Sequence, residues 1–187
     1  MKLARIISDL GAPWILNVVL FLALGLGLGA PAAGVSAALL TGVVPRAIIA
    51  VLMRRGEVSH HHVTKREQRK PVFAAILVCL AVAVALLAAL PTPREMWIAL
   101  GAAIGFIVVF ACVTLMLRLK ISVHVGLWVT VWGYLAVVLS PWWALGLVFA
   151  PVVAWSRLKQ GHHTPRELAG GFVAGLVVLA CALGVLV

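Results

Sequence analysis

Apolar residues in this chain fall in long unbroken stretches, with neither the alternation of a half-buried strand nor the narrow stripe of a surface helix. About twenty such residues, wound as a helix, cross the hydrocarbon layer of a bilayer. The runs are Pro13–Ala32, Gly34–Met53, Pro71–Leu90, Met96–Leu117, Ile121–Leu139, Pro141–Trp155 and Leu168–Val187. The sixth is short, the second contains Pro45 and Arg46, and little more than Ala-Pro-Ala-Ala-Gly separates the first two. The pattern therefore predicts six or seven spans. Backbone groups in lipid must be satisfied within the protein, so the predicted fold class is all-α, a polytopic transmembrane helical bundle. It is expected to form a single integral membrane domain over 1–187, without a 20–50-residue repeat, a soluble domain or a long linker. The apolar run after Met1–Leu10 is too long, and lacks the cleavage site, for a secretory signal peptide.

Composition agrees: 64% of the 187 residues are apolar and 11% charged, against roughly half and a quarter in soluble domains. That excludes a soluble enzyme and a disordered chain. Cys79, Cys112 and Cys181 each lie in an apolar run without C-x-x-C spacing, which predicts buried thiols rather than a disulfide framework.

Charge adds sidedness. With seven spans, the N-terminus and the segments 54–70, 118–120 and 156–167 share one side. They hold 13 of the 15 Lys and Arg residues, leaving Arg94 opposite and Arg46 within a span. The positive-inside rule makes that side cytoplasmic in an integral membrane protein, the plasma membrane if the source is bacterial. For Lys2, Arg5, Arg54 and Arg55 a topology signal is a sufficient reading. Yet His60, His61, His62, His124, His162 and His163 gather in or beside the same segments, and a topology signal has no use for histidine.

The densest stretch of candidate chemistry is Ser156-Arg157-Leu158-Lys159-Gln160-Gly161-His162-His163-Thr164-Pro165-Arg166-Glu167, or S-R-x5-H-x3-E. Ile121-Ser122-Val123-His124 opens the fifth run, and Lys65-Arg66-Glu67-Gln68-Arg69-Lys70-Pro71 leads into the third. In these features, over about 57–167, the chain resembles the phosphatidic acid phosphatase type 2 superfamily of membrane phosphatases. That family's pattern is K-x6-R-P, then P-S-G-H, then S-R-x5-H-x3-D. The third motif matches at Ser156, Arg157 and His163, with Glu167 in place of Asp. The second keeps Ser122 and His124, with Ile121 and Val123 for Pro and Gly. In the first, Lys70-Pro71 stands for Arg-Pro and Val63 occupies the Lys position, so that Lys65, Arg66 or Arg69 would have to substitute. Two apolar runs lie between the first and second motifs, where the best-known members have a loop.

The resemblance implies a metal-independent phosphatase, without cofactor, acting on a lipid phosphate or diphosphate such as a polyprenyl phosphate or phosphatidic acid. His163 would be the nucleophile forming a phosphohistidine, Glu167 would orient its ring, and His124 would protonate the leaving group. Arg157, with Lys65, Arg66, Arg69 or Lys70, would clamp the phosphoryl oxygens. The Ser122 amide at a helix start would add a donor.

Plainer readings stand beside these. Thr164-Pro165-Arg166-Glu167 also reads as a capping box with Pro at N1, so Glu167 serves the cap, the histidine or both. Arg157 either binds phosphate or snorkels to the interface. His162 reads as a bystander. Arg46, beside Pro45, either snorkels or extends a cationic pocket, which His60 or His62 would also face. Three consecutive histidines point in different directions and make a poor metal site. Trp128 and Trp132 read as packing before a lipid path, and Gly25/Gly29, Gly101/Gly105 and Gly171/Gly175 are G-x-x-x-G pairs that predict close helix approach.

A non-catalytic protein that binds or transports lipid phosphates in the same basic pocket is the alternative. Intramembrane transferases that hold magnesium on several Asp carboxylates are excluded, because Asp9 is the sole Asp. The short basic segments tied to span ends suit lipid headgroups rather than nucleic acid. Oligomeric state is not legible.

Overall fold

Proline and glycine set where these helices begin and end. A computed structural model describes residues 1–56, 69–116 and 119–187. The chain runs through α1 (Lys2–Leu10), α2 (Pro13–Gly27), α3 (Pro31–Ala38), a π-helical turn at Leu39–Val43, and α4 (Val44–Arg54). It continues through α5 (Arg69–Ala89), α6 (Arg94–Met116), α7 (Val123–Val138), a 3-10 segment at Pro141–Phe149, α8 (Ala150–Lys159) and α9 (Pro165–Leu186). Pro31, Pro141 and Pro165 stand at element starts, where a missing N–H costs nothing. No strand occurs among the described residues, in keeping with the all-α class.

Among the described residues each of the seven apolar runs falls mainly on helical structure, but length sorts them. Among the described residues three helices are long and apolar enough to cross a membrane: the continuous run Pro31–Arg54, α6 over Arg94–Thr114, and α9. α1 and α2 add a fourth if taken as one broken span. At 1.5 Å per residue the 16 residues of α7 reach about 24 Å, short of a hydrocarbon layer of about 30 Å. The sixth run is split, because Pro141–Phe149 winds as a 3-10 helix before α8 begins.

The chain divides into two compact units, Asn17–Thr92 and Met1–Leu16 with Pro93–Val187. In the first, Pro45 has no N–H for the carbonyl of Thr41 four residues earlier. Asn17 Nδ2 donates to that carbonyl at 3.1 Å, and the π-helical turn ends at Val43, with Val44 between it and the proline. Gly25 lies against Gly34 so closely that a Cβ at Gly25 would stand 2.6 Å from the Gly34 Cα. The close approach expected of Gly25 thus occurs, but its partner is not Gly29, which takes a positive φ of 71° just past α2.

In the second unit α7 is the core helix, buried at Val125, Val129, Val131, Tyr134 and Leu135. α9 crosses it on the predicted Gly171/Gly175 pair: Gly171 lies on the backbone of Ser122 and Gly175 on that of Gly126. Thr130 Oγ1 lies 3.0 Å from the carbonyls of both Gly126 and Gly175. Tyr134 donates to the Glu95 carbonyl at 2.7 Å, tying α6 to α7. Gly101 and Gly105 have open space where a Cβ would go, so that pair makes no close helix approach among the described residues. Trp128 Nε1 donates to the Gly146 carbonyl at 2.8 Å and fastens the 3-10 segment to α7.

Candidate functional site

The spacing of Arg157 and His163 follows from how α8 stops and α9 starts. Gly161, at φ 66°, occupies the left-handed position that ends α8. The His162 amide donates to the Arg157 carbonyl at 3.1 Å and the Gly161 amide to Leu158 at 2.9 Å, which together make a Schellman motif. The chain then reverses, and Thr164 caps α9. This returns His163 toward the last turn of α8, where Arg157 resides.

Glu167 does both things expected of it, with one oxygen. Its Oε2 accepts from the Thr164 amide at 2.9 Å and lies 3.2 Å from His163 Nδ1, while the Glu167 amide donates to Thr164 Oγ1 at 3.4 Å. A carboxylate only accepts, so Nδ1 carries the proton of the neutral ring and Nε2 keeps its lone pair. Burial pushes the His163 imidazole below its ordinary pKa. The charge of Arg157, and more weakly that of Lys120, push the same way, against the hydrogen bond and charge of Glu167. The neutral, nucleophilic form is thus the one the surroundings favour near pH 7.

Arg157 is 4% exposed. Its Nη1 donates to Ser8 Oγ on α1 at 2.5 Å, and its Nε is buried without a hydrogen-bond partner among the described residues. Burial lowers its pKa and the charge of Asp9 opposes this, yet a guanidinium stays cationic in proteins. No carboxylate among the described residues forms an ion pair with it; the ion pair found there is His163 with Glu167. A buried charge held by one neutral hydroxyl is costly, and an anion would relieve it.

The start of α7 joins the start of α9 through the Ser122 amide, which donates to the Glu167 carbonyl at 3.0 Å. The donor expected at Ser122 for phosphate is therefore already committed. The Ser122 hydroxyl is fully buried and without a partner among the described residues. His124 is buried in the first turn of α7 at 6% exposure. Lys120 Nζ reaches across to the His162 carbonyl at 3.1 Å.

His163, Glu167, Arg157, Ser122 and His124 thus belong to one compact unit and to adjoining element ends. Arg46 lies half-buried on α4, in the other unit. His60, His62, Lys65 and Arg66 lie outside the described residues, and Arg69 and Lys70 fall in the first turn of α5, where the structure describes the backbone. Sequence reasoning missed Ser8 and Lys120 as parts of the site. Lys120 had a signal, standing two residues before Ser122 in Lys-Ile-Ser-Val-His. Ser8, 149 residues from Arg157, had none. No protein-family model, curated protein or solved structure matches the chain.

Proposed function

We propose that the protein is a membrane-embedded, metal-independent phosphatase of lipid phosphates or diphosphates, of the polyprenyl phosphate or phosphatidic acid type. On this reading it is a divergent relative of the phosphatidic acid phosphatase type 2 superfamily, with six or seven spans and its motif side in the cytoplasm. The observation that carries it is a histidine held in its Nδ1–H tautomer by a carboxylate, beside a buried arginine that forms no ion pair among the described residues. His163 Nε2 attacks phosphorus, the bond to the lipid oxygen breaks, and His124 gives its proton to the leaving alkoxide. Water then attacks the phosphohistidine, His124 takes the proton, and inorganic phosphate leaves. Arg157 bears the charge on the non-bridging oxygens. A hydrocarbon tail has a surface to follow: Trp128 and Trp132 succeed His124 at four-residue steps on α7. Both Trp residues line an apolar groove of about 460 Å³ with Trp143 and Phe149.

The committed amide of Ser122 favours a second reading, a binding or transport protein that holds lipid phosphates without cleaving them. Purified protein incubated with a panel of lipid phosphates in EDTA separates the two. Free phosphate released by wild type, and abolished in His163→Ala and His124→Ala, supports the phosphatase. Release that survives His163→Ala removes the nucleophile, and binding without release favours the second reading.

A further inference from the structure

The first helix has three distinct faces. Ala4 and Ser8 are buried at 1% and 3% exposure, and they lie on α8. Gln160 Nε2 donates to the Ala4 carbonyl at 3.1 Å, and Arg157 donates to Ser8. At about 100° per residue, Leu3, Ile6 and Leu10 form a second strip, and their exposures are 62%, 55% and 62%. Lys2, Arg5 and Asp9 form a third, all exposed.

A strip of large aliphatic side chains flanked by charge is the pattern of a helix lying flat at a membrane surface. Two further observations set its level and its partner. Trp14 follows α1 and Trp155 precedes Arg157 on α8, at 37% and 41% exposure, and such indoles mark the headgroup layer. The exposed charge on α1 and on the end of α8 packed against it is also mainly basic: Lys2, Arg5 and Lys159, against Asp9. An anionic lipid surface complements that excess.

We propose that α1 is an interfacial helix whose Leu3–Ile6–Leu10 strip is seated in the headgroup–acyl boundary of an anionic leaflet. That seat also holds Ser8 against Arg157. The lipid surface thereby fixes one wall of the anion site, a consequence that rests on the phosphate-ester reading, whereas the seating itself does not.

The test uses the full chain with Cys79, Cys112 and Cys181 replaced by Ala and a spin label at Ile6→Cys or Asp9→Cys. It is reconstituted in phosphatidylcholine vesicles with or without phosphatidylglycerol. The expected result is oxygen access and shielding from a nickel chelate at position 6, and the reverse at position 9. Phosphatidylglycerol should raise the oxygen-to-nickel ratio at position 6 severalfold, and Lys2→Glu/Arg5→Glu should abolish that rise. A nickel-accessible label at position 6 in both vesicles overturns the proposal, as does a ratio indifferent to phosphatidylglycerol. Shielding from both reagents that disappears on dilution of protein in lipid assigns the strip to a second protein copy, and also overturns it. None of these readouts requires turnover, so an inactive protein would sink the phosphatase and leave α1 to be judged separately.

Discussion

Glu167 is the most economical place to perturb the site, because one oxygen holds both the helix start and the histidine. Replacing it with Ala removes the acceptor of the Thr164 amide and the partner of His163 Nδ1. The lost cap is worth about 1 kcal/mol and the second hydrogen bond about 0.5–1.5 kcal/mol. With the carboxylate 25% exposed, water replaces part of both, and about 2 kcal/mol is the upper end for Glu167→Ala. Glu167→Gln keeps an oxygen where Oε2 stands and should cost less than about 1 kcal/mol, chiefly the charge assistance. Both variants delete the negative charge that raises His163, so its pKa should fall further below the ordinary histidine value. Denaturation midpoints in mild detergent, with nitrogen-detected titration of the labelled imidazole, measure the two effects on the same samples. The titration also reads the tautomer, and Nδ1–H should persist in the Gln variant. Equal destabilisation by Gln and Ala, or a His163 that titrates higher in either, would refute the shared-oxygen account.

Three other outcomes are expected. Gly171→Ala puts a Cβ onto the Ser122 backbone, and backbone cannot swing aside, so it should lose about 1–3 kcal/mol in detergent unfolding while Gly101→Ala stays near wild type. Gly161→Ala forces a side chain into the left-handed region at φ 66° and should cost about 1 kcal/mol, with Gly161→Asn milder; equal melting of all three would show that the Schellman turn does not hold. For pH, the folded His163 has a depressed pKa, so the unfolded chain binds the proton more readily. Stability present above about pH 6.5 is then lost as pH falls toward the folded value, and the melting difference between wild type and His163→Gln should shrink or reverse in that direction.

Much of this was legible because it is local. Apolar runs, prolines at helix starts and the Thr164–Glu167 box depend on residues within one turn of each other, and their chemistry is written in adjacent letters. The Gly171/Gly175 pair was also readable, since small residues at i and i+4 leave a groove whatever lies opposite. Its partner was not readable, and the same motif at Gly101/Gly105 meets open space. In α7 and in the sixth run the α-helix is shorter than the apolar run, because hydropathy does not register the extended backbone at Ser122 or the 3-10 winding after Pro141.

By itself the sequence determined the helical class, the helix ends around the candidate site, and the residue types that meet there. Tertiary structure alone decided two things: that the Ser122 amide is already taken by α9, and that Arg157 is held by a serine on α1. The reason is distance along the chain. A hydrogen bond across 149 residues leaves no periodicity or spacing, and it exists only once α1 has packed its small face on α8.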